Sequence, residues 1–298
     1  MKKITSTHLG IAVILLYFFA QVCYADDNTV YIDQSGDNVE IDVLQMGTAN
    51  SIDIDLGIYG SNSANNTFET AQDGFNNNVY LSVDGNNNAL LFIQEGNNND
   101  IGWTDSWGTG YAWGGDLDGN DNELHFEQNC TRGSSCGKSA IGFHIQGDGN
   151  SARWGQGKSL ANASDETFST DVGSEGGNHQ LNLDIHGNNN SVAGFQRNGA
   201  MNQFSGHTAT LYIYANDNAL WAKQENDGAK TLNYTSNTDD NTGHIVQRGS
   251  GAHSATVTLQ GAYSTSLNLL QQGTTAQSYT LFQDCQTASG CGITITQD

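Results

Sequence analysis

The four cysteines beyond residue 25 fall in two matching segments, FEQNCTRGSSCG and FQDCQTASGCG. In each, the first cysteine (Cys130, Cys285) lies two residues after a glutamine, and the second (Cys136, Cys291) follows six residues later. A zinc site would ask for a C-x2-C step or neighbouring histidines. Neither is present, so the spacing predicts two local disulfides, Cys130 with Cys136 and Cys285 with Cys291, each stapling a turn.

Other reactive side chains are sparser. Gly133 to Gly137 match G-x-S-x-G, but that nucleophile motif needs a strand, a sharp turn and a helix, and here it sits inside a cysteine loop. The segment GGDLDGNDNEL partly resembles the calcium-binding nonapeptide of repeat toxins, which makes Asp116, Asp118 and Asp121 a weak calcium candidate. No other metal and no cofactor is implied. The histidines form no H-x3-H pair and fall mainly on outward strand positions or in turns, which predicts solvated imidazoles.

A repeat must position these residues. Gly74, Gly85 and Gly96 lie eleven apart, and Gly47, Gly119, Gly147 and Gly187 share their G-x-x-N unit. Five asparagines precede a glutamine by six residues: Asn88 and Gln94, Asn122 and Gln128, Asn150 and Gln156, Asn190 and Gln196, Asn218 and Gln224. Between them, positions two apart point to one face of a strand, and these are mostly apolar, as in Leu90 and Phe92 or Leu124 and Phe126. The preceding strands alternate likewise, through Ala209, Leu211 and Ile213 in one case. A strand and a turn make one arm of eleven residues, and two arms make a coil of about 22. Such coils complete their core only by stacking. The pattern therefore predicts an all-β solenoid of nine or ten coils, with inward amides satisfied by a ladder from coil to coil. Gln45 and Asn50 open this register, while Gln247, Gln260, Gln271, Gln283 and Gln297 close the C-terminal strands. Excursions interrupt it near 102–119, rich in Trp and Gly, and near 157–177.

Composition agrees with a thin, elongated core. Only 36% of the 298 residues are hydrophobic, against roughly 45–50% in ordinary domains. Residues 1–25, with Lys2, Lys3 and an apolar run from Ile11 to Ala20, read as a secretory signal peptide ahead of one solenoid domain, 26–298. Removing it leaves eight basic and 32 acidic residues, a net charge of −24. That excludes nucleic acid as an expected partner.

The arrangement Q-x-G-x-x-N-[SA], followed by five residues and a further Gln, resembles the curlin repeat of curli fibre subunits. QMGTANSIDIDL (Gln45 to Leu56), GNNNALLFIQEG (Gly85 to Gly96), GDGNSARWGQG (Gly147 to Gly157) and GNNNSVAGFQ (Gly187 to Gln196) carry the resemblance. The excursions and cysteines depart from it. The resemblance implies a non-enzymatic, secreted, amyloid-type subunit at the surface of a Gram-negative-type bacterium. Its expected partners are further copies or a homologous subunit and an export machinery, and its expected role is adhesion and biofilm matrix. The alternative is a monomeric solenoid adhesin that binds glycan, protein or calcium through its loops, where Trp103, Trp107, Tyr111 and Trp113 concentrate. A β-helix hydrolase would need acidic residues converging on one stretch of face, which the repeat does not provide.

Overall fold

A computed structural model describes residues 28–34, 39–56, 65–102, 115–130, 139–157, 179–198 and 206–298. Residues 1–25, expected to be a signal peptide, the Trp-rich segment 103–114, most of the second excursion and the expected Cys130–Cys136 bridge lie outside the described part.

The chain is an all-β solenoid. One sheet contains β1 (Thr29–Gln34), β3 (Ser51–Leu56), β5 (Asn78–Asp84), β7 (Asn99–Ile101), β8 (Gly115–Asp118), β10 (Ser139–Gln146), β12 (Gln180–His186), β14 (Thr208–Ala209), β16 (Thr231–Ser236), β18 (Ser254–Gly261) and β20 (Ser278–Cys285). The facing sheet contains β2 (Glu40–Thr48), β4 (Thr67–Phe75), β6 (Ala89–Asn97), β9 (Glu123–Cys130), β11 (Ser151–Gln156), β13 (Ser191–Arg197), β15 (Ala219–Glu225), β17 (Thr242–Gln247), β19 (Thr265–Gln271) and β21 (Cys291–Gln297). Successive strands alternate between the sheets and pair in parallel with the strand one coil away. Because β7 and β8 share one level, the 10-stranded facing sheet counts ten coils, numbered here from the N-terminus.

Alternation places the apolar residues between the sheets. Val79, Leu81 and Val83 of β5 and Leu90 and Phe92 of β6 are buried, while their chain neighbours face outward. Aromatic rings fill coils 2 to 5, with Phe68 against Phe92, Phe92 against Phe126 and Phe126 against Phe143 at centroid distances of 5.4–5.5 Å. Trp154 needs more room. Its register partner is Gly194, where a Cβ would lie 2.5 Å from the indole.

The turns explain the repeated glycines. Glycines eleven apart lie on opposite turns of the coil, so they form two separate stacks. Gly47, Gly74 and Gly96 form one stack, and Gly85, Gly119, Gly147 and Gly187 form the other. Gly119 has φ +151°, and a Cβ there would sit 2.0 Å from the carbonyl oxygen of Gly147. No other residue fits so close an approach. Two positions later the backbone is again left-handed, as at Asn87 (φ 59°) and Asn189 (φ 55°), a conformation that asparagine tolerates.

Three expectations change. The 22-residue step holds from Gln72 to Gln94, but insertions lengthen other steps, to 34 between Gln94 and Gln128 and 40 between Gln156 and Gln196. The first excursion is shorter than 102–119, because Gly115–Asp118 returns as β8 and pairs with β5 and β10. Finally, the strand expected through Ile213 stops at Ala209. Leu211 and Ile213 still point into the core, but the backbone has positive φ from Leu211 to Ile213. Ala215 stands there on the glycine stack above Gly187 without a positive φ, while Asp217, two residues on, keeps the left-handed turn position (φ 57°).

Candidate assembly interface

The inward glutamines form one continuous column. Gln45, Gln72, Gln94, Gln128, Gln156, Gln196, Gln224, Gln247, Gln271 and Gln297 are joined in turn, each Nε2 donating to the Oε1 of the next at 2.7–3.0 Å. The second amide hydrogen bonds the backbone of the opposite sheet, as from Gln94 to the Asn78 carbonyl and from Gln224 to the Thr208 carbonyl, both 2.9 Å. Each amide thus ties its coil to the next and one sheet to the other. Gln72 follows Asn66 at the repeat spacing, although Asn66 lies outside the G-x-x-N pattern because Ser63 stands three residues before it.

Asparagines form two columns, one at each turn. Asn88, Asn122, Asn150, Asn190 and Asn218 belong to a column that begins at Asn66 and ends at Asn241. Each backbone N–H donates to the Oδ1 of the coil before. The side-chain amides reach the stacked glycines, as from Asn88 to the Gly119 carbonyl at 2.9 Å. Asn50 belongs to the other column, with Asn28, Asn77 and Asn99.

That second column changes chemistry along its length. Ser139 pairs with Asn99, and further on the inward positions are His179, His207, Lys230 and His253, all buried. The expectation of solvated histidines is therefore wrong for three of them. His179 Nδ1 accepts the His207 N–H and His207 Nδ1 accepts the Lys230 N–H, both 3.2 Å, which repeats the asparagine geometry with an imidazole. His207 Nε2 donates to the Arg197 carbonyl at 3.0 Å, so the ring is neutral. Desolvation, aided by the nearby Lys230 charge and opposed by that bond, pulls its pKa down to about 4. The Lys230 ammonium donates to the carbonyls of Asp227, Gly228 and Gly249 at 2.6–2.9 Å. Burial still brings its pKa down to about 8.

The remaining residues divide. Cys285 and Cys291 are disulfide-bonded with Cα atoms 5.8 Å apart. Cys285 pairs in register with Gly261 and Cys291 with Thr265, which follows Asn241 in its column. In the last coil a covalent bond therefore takes the place of the Gly and Asn of the turn. Gln283 is not in the glutamine column. It pairs with Leu259 and occupies an apolar position of the opposite sheet. Asp116, Asp118 and Asp121 are not brought together. Asp116 lies 3.1 Å from His144, and Asp121 accepts from Asn87. Among the described residues no group of three or more His, Cys, Asp or Glu could hold a metal.

Both ends of the stack are open among the described residues. Inward Val30 and Ile32 of coil 1 are 46% and 42% exposed, whereas Ile52 and Ile54, their register partners in coil 2, are 0%. Tyr279, Leu281, Ile293 and Ile295 of coil 10 are likewise only partly buried. The ladder itself has a direction. Among the described residues Gln45 accepts from no preceding glutamine, and Gln297 has no following one to which to donate.

Comparison with protein-family models, with curated proteins and with solved structures returned no match.

Proposed function

We propose that this chain is a secreted structural subunit of curlin type, which stacks end to end into extracellular fibres for adhesion and biofilm matrix. One observation carries the reading. Coil 10 ends in a glutamine donor and half-exposed apolar side chains, and coil 1 begins with the complementary acceptor and its own half-exposed apolar side chains. A second copy set on either end continues both the parallel backbone ladder and the core. Further copies or a homologous subunit are the partners, and export depends on the signal peptide and its machinery. The solenoid serves as a building block without catalysis.

Substituting Ile293 and Ile295 together by Lys tests this, because it places charge on the inward face of the open end. The purified mature chain is expected to assemble, as read by light scattering and thioflavin fluorescence. The double variant is expected to keep its β-type circular dichroism and remain unassembled. A mature chain that stays monomeric across salt, pH and calcium concentration overturns the proposal.

A further inference from the structure

One part of the surface departs from the acidic character of the chain. On the outward face of the glutamine-bearing sheet, Ala193, Trp221, His244 and Asn268 follow one another in register across coils 6 to 9, with Ala219, Thr242 and Ser266 beside them. They line a hollow of about 390 Å³, a size within the range of small-ligand sites. None of these side chains is an acid, Lys or Arg, although the chain carries 32 Asp and Glu. The charged residues of β13 and β15, namely Arg197, Lys223 and Glu225, lie toward the C-terminal ends of those strands.

Trp221 is braced from two directions. Phe195 meets it edge to face at 6.3 Å, and His244 lies against it at 4.7 Å with 31° between the ring planes. The next outward column along the strands, Phe195, Lys223 and Val246, is buried, so the indole rests against a covered part of the face. Ala193 and Ala219 end at one carbon and leave room beside the ring. The indole Nε1 is buried, and what the ring offers to the hollow is therefore carbon. Thr242, Ser266 and Asn268 are exposed around it, and their hydroxyl and amide groups both donate and accept hydrogen bonds.

From this arrangement we infer that the hollow binds a neutral polysaccharide of β-1,4-linked, all-equatorial pyranose units, glucose or N-acetylglucosamine. Such a ring carries C–H bonds on both faces and its hydroxyls at the edge. The C–H face gains dispersion and electrostatic contact with the indole. The edge hydroxyls meet Thr242, Ser266 and Asn268, whereas a charged ligand would find no counter-charge among the lining residues. The row is longer than one sugar ring. Its four strands span about 14 Å at about 4.8 Å per step, which suits several joined units. Because the hollow lies on the side of the solenoid, it is open in a single copy and in an end-to-end stack alike. The inference therefore stands or falls independently of fibre formation.

Isothermal titration calorimetry of residues 26–298 with cellohexaose and with chitohexaose tests this, the two arms separating glucose from N-acetylglucosamine. Binding of at least one is expected. Trp221→Ala is expected to weaken it by about tenfold or more. That change also removes a packing partner of Phe195 and His244, so Ala219→Arg provides a second reading. It fills the hollow from an exposed position outside the core, and the same loss of binding is expected with β-type circular dichroism and thermal unfolding unchanged. Failure of both oligosaccharides to bind at millimolar concentration overturns the inference. So does binding that Ala219→Arg leaves unchanged.

Discussion

Gln196 shows what one amide does here. Its Oε1 accepts from Gln156 and from the Trp154 indole, and its Nε2 donates to Gln224 and to the carbonyls of Gln180 and His207. Gln196→Leu leaves buried donors and acceptors without partners and is expected to cost about 2–3 kcal/mol. Gln196→Glu keeps the shape but sets a buried anion against two carbonyls, so its loss at pH 7 exceeds that of Leu. Thermal unfolding of the two variants measures the order, and equal losses would place this side chain in solvent.

His207 sets a pH dependence. Its pKa is about 4 in the folded chain and the ordinary 6.5 when unfolded. Between these values the unfolded state binds the extra proton, so stability falls as pH drops from 6.5 toward 4, by on the order of 3 kcal/mol. Protonation also removes the Nδ1 acceptor that holds the Lys230 N–H. His207→Asn restores the amide used at the same turn in coils 2 to 4, and it is expected to flatten this part of the stability profile, as followed by thermal unfolding across that pH range. Of the residue-scale features, the glutamine column and the glycine turns were legible in the sequence, because a close carbonyl and a shared amide each admit almost one residue type. The His179 to His253 column was not. At His179 and His207 an imidazole Nδ1 accepts the next backbone N–H as an amide oxygen would, and at Lys230 an ammonium donates to turn carbonyls instead, so no single residue type marks the position.

At the scale of the element, the turns decide where strands begin and end. Gly119→Ala would drive a Cβ into the Gly147 carbonyl at a strained φ, and no flexible side chain is there to yield. A loss of about 3 kcal/mol or more is expected in denaturant unfolding. At Gly292, on the outer face of β21, a Cβ would meet nothing within 4 Å, so Gly292→Ala is expected to be neutral within about 0.5 kcal/mol. Element existence followed from alternation, since strands such as β5 and β10 bury every second side chain. Two elements escaped that logic. β8 is four residues long and follows a Trp- and Gly-rich segment, too short for its alternation to register. Beyond β14 the inward side chains continue through Leu211 and Ile213 while the strand stops at Ala209, and a side-chain pattern carries no record of backbone φ.

At the scale of the whole molecule, two forces oppose each other. On the proposed reading the open ends favour addition of a further copy, while a net charge of −24 on residues 26–298 repels it. Assembly is therefore expected to be slow at low ionic strength and faster with added salt, lower pH or millimolar calcium, each of which weakens the repulsion. The most direct measurement is covalent capture of the joint. A chain carrying both Gln45→Cys and Gln297→Cys has its two new thiols at opposite ends of ten coils, about 43 Å apart at the usual strand spacing, so no bond can close between them within one copy. Oxidation during assembly, followed by a non-reducing gel and peptide mapping, is predicted to give a series of dimers, trimers and longer chains, each link running from position 297 of one copy to position 45 of the next. Monomers alone, or links that join position 297 to position 297, would contradict head-to-tail continuation of the solenoid.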